Sequence, residues 1–114
     1  MRIEWSLDEA AVLLQAVIDV KKGNVKRKEA VTKVSNILRQ LATLKGLDVD
    51  DKFRNENGIS FQMDSLEYIY IGGKTGLSPN FRKSGDWAEK IVDIYKFNRE
   101  QFYMLLNSVK EKIS

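Results

Sequence analysis

Apolar and polar positions alternate with a helical period along most of the chain. In SLDEAAVLLQAVIDVKKG, Ala10, Leu13, Leu14 and Val17 recur at three- and four-residue steps, the spacing that gathers side chains on one helix face. Val12, Ile18 and Val20 fall off this stripe and are apolar too, so this helix should be buried on more than one side. Ser6 followed by Glu9 is a capping-box pattern, and Gly23 follows Lys21 and Lys22, where a helix end favours cations. The pattern predicts a helix over 6–22. A second, over 25–45, carries Val31, Val34, Leu38 and Leu41, widened by Ala30, Ile37 and Leu44, and stops at Gly46. A polar connector, LDVDDKFRN, precedes Asn55, a capping residue for a third helix with Ile59, Met63, Leu66 and Tyr70 on one side. "YIY" at 68–70 also fits a short strand, but the upstream period favours helix. A last region opens at Asp86 with Trp87, Ile91, Ile94 and Tyr95 on one face. Asn98 with Gln101 repeats the capping-box pattern ahead of Phe102, Leu105, Leu106 and Val109. That region is either two helices or one from 86 to 112.

This pattern predicts an all-α protein of four or five helices, and 114 residues suffice for one domain over 1–114. With 43% apolar residues, a single core is sustainable without disulfide or metal. Cys and His are both absent. Thiolate chemistry, the usual zinc ligands and the usual general base go with them, so the chain is expected not to be an enzyme and to need no cofactor. The N-terminus lacks a signal-peptide pattern, because Glu4, Asp8 and Glu9 interrupt it. Ala10 to Val20 is too short to span a bilayer, and the expected location is cytoplasmic. Net charge is only +3, a mild basic bias. Its distribution is more informative: KKGNVKRK, from Lys21 to Lys28, holds five cations and no acid.

Two stretches suggest chemistry that their spacing denies. EYIYIGGKTG looks like the end of a phosphate-binding loop, but G-x-x-x-x-G-K-[ST] needs its first glycine where Tyr68 stands. The segment reads instead as a helix end at Gly72-Gly73 followed by a polar loop. DVDD followed by NENG suggests a calcium loop, but glycine at position six would place Phe53 at position one. Tyr68, Tyr70, Phe97, Phe102 and Tyr103 stand at helical spacing and are expected mostly in the core.

WSLDE, Trp5 to Glu9, and RNENGISFQMDS, Arg54 to Ser65, open the first and third helices. Together they resemble the Myb/SANT class of trihelical helix-turn-helix domains. That class opens with tryptophan, Ser or Thr and acids, and starts its third helix with arginine, a polar cap, an acid, Asn, a small residue and Ile. Arg54, Asn55, Glu56, Asn57, Gly58 and Ile59 match that order, and Asp64 and Ser65 fit a polar pair that follows. The likeness covers about 3–70 and leaves a loop over about 71–85 and a C-terminal extension over about 86–112. The chain is also similar to leading segments of larger bacterial proteins, some with nuclease or helicase modules. It departs from the class in having Met63 for the third-helix tryptophan, in a longer second helix, and in Ser60 and Phe61 where DNA-reading members carry Lys and Asn.

The resemblance implies DNA binding. Lys21, Lys22, Lys26, Arg27 and Lys28 would hold phosphates, because this turn lies against the backbone in related domains. Asn57, Ser60, Phe61 and Gln62 would meet a groove, and Phe61 and Asp64 have thymine methyl and cytosine N4 as matching groups. Arg54 either contacts phosphate or pairs with Asp50 or Asp51. Lys74, Arg82 and Lys83 would extend the patch. The alternative partner is a protein docking on Phe61 and neighbouring apolar residues, as SANT-type relatives do, with the lysines serving only as a solvated turn.

Overall fold

The computed structural model describes residues 4–72 and 86–114. Most of the loop expected over 71–85, including Gly73, Lys74, Arg82 and Lys83, lies outside the described residues. The described part is all helical: α1 Leu7–Lys21, α2 Arg27–Leu44, α3 Glu56–Tyr70, α4 Asp86–Phe97 and α5 Arg99–Ile113. The 68–70 segment is the last turn of α3 and not a strand.

Local chemistry sets the helix boundaries. At the start of α1, the Glu9 carboxylate accepts from the Ser6 N–H at 3.1 Å, as the Ser6–Glu9 spacing predicts. At its end Gly23 takes φ of 76°, a left-handed conformation that costs glycine nothing. The Asn24 N–H then reaches the Asp19 carbonyl at 2.9 Å and the Gly23 N–H that of Val20 at 3.0 Å, a Schellman closure. Gly72 ends α3 in the same conformation, with φ of 79°. Gly72, just ahead of the apparent phosphate-loop glycine, is therefore a helix terminator.

Asn98 divides the last region into two helices. Its φ and ψ of −146° and 66° are not helical, and its side chain accepts from the Gln101 N–H at 3.3 Å. The break leaves Phe97 at the end of α4, 84% exposed. Tyr103 is half-exposed too, whereas Tyr68 and Phe102 are buried and Tyr70 is half-buried. The expectation that these aromatics are mostly core thus fails for Phe97 and Tyr103.

Helix α1 packs against all four others, and α2, α3, α4 and α5 touch one another in a closed ring around it. This central position accounts for its composition. Ala10, Ala11, Leu13, Leu14, Ala16, Val17 and Ile18 are all buried, and only a narrow strip is left, where Gln15 donates to Asp19. Around it stand Val31, Val34 and Leu38 of α2 and Ile59, Met63 and Leu66 of α3. Met63 is fully buried among them. The C-terminal pair contributes Trp87, Ala88, Ile91, Val92, Phe102 and Leu106 to the same core. The pair makes two of the four helices around α1, and the core is continuous across it.

Polar ties fix the ring at one end. Asp8 receives Lys45 from the end of α2 at 3.1 Å. Burial works against the Asp8 charge, but hydrogen bonds from Ser6, Lys45 and the Glu9 N–H, with the Lys45 charge, hold its carboxyl below the usual carboxylate range. Arg39 of α2 donates to the carbonyls of Asp50, Asp51 and Phe53, which secures the connector ahead of α3.

Candidate nucleic-acid interface

The turn between α1 and α2 presents its cations on a short, fixed frame. Lys21, Lys22 and Lys26 are exposed, and Lys26 is the N-cap position of α2. Arg27, the first residue of α2, reaches across to α3. Its Nη2 donates to the Asp64 carboxylate at 2.7 Å, to the Ser60 carbonyl at 2.9 Å and to Ser60 Oγ at 3.3 Å. The end of the basic turn thus lies beside the middle of the outward face of α3. Lys28, about 100° further round the helix, lines an open groove with Glu29, Thr32, Lys33 and Ile113. That groove runs between α2 and the end of α5, so Lys28 is not grouped with Arg27.

Helix α3 is positioned by its first turn. The Asn55 side chain accepts from the Gly58 N–H at 2.8 Å. A Cβ on Gly58 would stand 3.1 Å from that same Asn55 oxygen, which accounts for a glycine inside the helix. Thr32 of α2 donates to Glu56 at 2.7 Å. We predict that Asn55→Ala, which strands the Gly58 N–H, lowers unfolding free energy by about 1 kcal/mol, read from the shift of a urea midpoint.

Four residues of α3 were expected to meet a groove. Asn57 is exposed and Phe61 half-exposed, one helical turn apart on the same side. Ser60 is partly covered and already accepts from Arg27. Gln62 does not follow the expectation: it is half-buried, and its carboxamide oxygen is buried with no hydrogen-bond partner among the described residues. A residue one position past Phe61 rotates toward the core flank, as the helical period requires.

Arg54 departs furthest from the expected role. It pairs with neither Asp50 nor Asp51. Its Nε donates to Glu9 Oε2 at 2.8 Å, and its Nη2 donates to Glu9 Oε1 and the Glu4 carbonyl, each at 3.2 Å. Both partners are nearly buried, 9% and 8% exposed at their side chains. The guanidinium stacks 4.3 Å from the Trp5 ring and 4.4 Å from that of Phe53. Trp5 in turn stacks on Trp87 of α4, with centroids 4.8 Å apart and planes 15° from parallel. The Arg54 backbone takes φ of 48°, and its carbonyl accepts from Ser35. The motif residues Trp5, Glu9 and Arg54 therefore join the starts of α1, α3 and α4, and Arg54 is not presented to a phosphate backbone.

The structure brings together Arg27, with Lys26 next to it in the chain, and Ser60 of α3, the helix on which Asn57 and Phe61 are exposed; Lys21 and Lys22 are exposed at the other end of the turn. Asp64 is the acidic member of this surface, missed as a partner of Arg27 because the two stand 37 positions apart. Nothing local in the sequence marks such a pair. Among the described residues, no group of three or more Asp or Glu is arranged to hold a metal ion, and no helix is long and apolar enough to cross a membrane. No family model, curated protein or solved structure matches the chain.

Proposed function

We propose that the protein is a non-catalytic DNA-binding domain of helix-turn-helix type, built from α1, α2 and α3. The observation that carries this reading is the contact of Arg27 with Ser60 and Asp64, which sets a cation-rich turn beside the exposed part of α3. The resemblance of the Trp5 and Arg54 segments to Myb/SANT domains supports it. In this reading Lys21, Lys22 and Lys26 hold phosphates with Arg27 beside them, while Asn57, Ser60 and Phe61 face a groove. Contacts of that kind give salt-dependent affinity with little sequence discrimination. With Arg27 held by Asp64, three phosphate contacts predict that duplex affinity falls by about 40-fold between roughly 50 and 200 mM salt. Fluorescence anisotropy with a labelled duplex across that range measures it.

A second reading is a protein-interaction module. It draws on Phe61, an aromatic residue 50% exposed on α3. The same titration separates the two: absence of binding to duplex or single strand at the lowest salt removes the DNA reading. Phe61→Ala should then weaken partner capture with little change in melting temperature.

A further inference from the structure

We infer that the carboxylate of Asp64 occupies a phosphate position in the DNA-binding surface and acts as a built-in competitor for Arg27. This deepens the DNA-binding reading and rests on it. Among the described residues, Arg27 is the one cation of the basic turn that donates to α3, and every acceptor it meets there is one that a phosphate oxygen can replace or join. The 2.7 Å contact to Asp64 is of charge-assisted length. A guanidinium fork accepts carboxylate and phosphate with the same geometry. The Ser60 hydroxyl, 3.3 Å from Arg27, can turn its proton toward an incoming anion. The exposed Lys26 precedes Arg27 directly and adds a second positive charge at the same corner.

Accessibility decides between a competitor and a mere strut. The side chains of Arg27 and Asp64 are 38% and 45% exposed, so an anion in solvent can reach both. Ion pairs this exposed are held weakly. The bond from Arg27 to the Ser60 carbonyl does not involve Asp64, so the guanidinium keeps its place when the carboxylate is removed. A phosphate arriving at Arg27 meets Asp64 as a like charge that must be displaced. Asp64 therefore lowers the affinity of this corner for any polyanion and removes one phosphate from the counterion balance.

The test compares wild type, Asp64→Asn, Arg27→Gln and the double variant by anisotropy on a duplex of about 20 base pairs at low salt. Asp64→Asn should bind about 10-fold tighter, and its log–log salt slope should steepen by about 0.9, the value of one extra phosphate. In the Arg27→Gln background the gain should shrink to about 2-fold or less. An equal gain in both backgrounds, or no gain, overturns the inference. Asp64→Asn should melt within about 5 °C of wild type, because the pair is exposed. A second measurement uses inorganic phosphate alone: the Arg27 side-chain NMR signal should move on titration of Asp64→Asn and stay still in wild type. If duplex fails to bind either protein but phosphate moves Arg27 in Asp64→Asn, the DNA reading falls and the anion position stands. If wild type binds duplex with steep salt dependence and Asp64→Asn gains nothing, the DNA reading stands and the anion position falls. If Asp64→Asn responds to neither duplex nor phosphate, both fall.

Discussion

Arg54→Ala will cost about 3–5 kcal/mol of stability, the loss expected when one partner of a buried ion pair is removed. Glu9 is then left nearly buried with a charge that only the Ser6 N–H and hydroxyl contact. Trp5 also loses the guanidinium stacked 4.3 Å away, at the point where α1, α3 and α4 meet. The loss amounts to a large share of the total stability of a domain this size. Thermal melting by circular dichroism will show it as a drop of well over 10 °C. Adding Glu9→Gln in the same background removes the stranded charge while keeping an acceptor for Ser6, and part of the loss should return. Arg54→Lys keeps a charge but gives up the fork and the flat stacking surface, so it should fall between wild type and Arg54→Ala. If Arg54→Ala melts like wild type, the clamp contributes nothing, and the agreement between the Trp5 and Arg54 motifs has no structural basis.

The second large effect concerns binding. Changing Lys22 and Lys26 together to Glu should weaken duplex affinity by at least about 100-fold at low salt and flatten the log–log salt slope by about two phosphates. Both lysines are exposed, so the melting temperature should stay near that of wild type. Arg27 is left out of this pair deliberately. A glutamate at 27 would face Asp64 across the contact now made at 2.7 Å, and any loss of binding would be mixed with repulsion between α2 and α3. Retention of wild-type affinity by the Lys22→Glu, Lys26→Glu protein would rule out the basic turn as the phosphate-holding element.

The sequence carried the helices far better than the site. α1 and α3 were legible because three independent local signals agree: a stripe of apolar residues, a capping residue and a terminating glycine; α2, whose N-cap Lys26 makes no side-chain cap, showed the stripe and the glycine alone. The break at Asn98 was legible as one of two possibilities, since a capping-box pattern in mid-helix does not say whether the chain uses it. The roles of Arg54 and Asp64 were not legible. Arg54 meets Glu9 across 45 positions and Arg27 meets Asp64 across 37. No periodicity or spacing reports such pairs. Nearby acids, Asp50 and Asp51, offered Arg54 a plausible local partner that the fold does not use. Gln62 and Phe97 failed for a related reason. A helical wheel fixes which residues share a face, but the edge of a buried face depends on how the neighbouring helices close around it.

The position of α1 inside the ring has a bearing on synthesis. It precedes in the chain the helices that cover it, and its covering is completed by α4 and α5. During translation its leucines and valines must wait, partly uncovered, until α4 and α5 have left the ribosome tunnel. A nascent chain arrested before Trp87 therefore leaves the apolar flank of α1 that α4 and α5 cover open to chaperones.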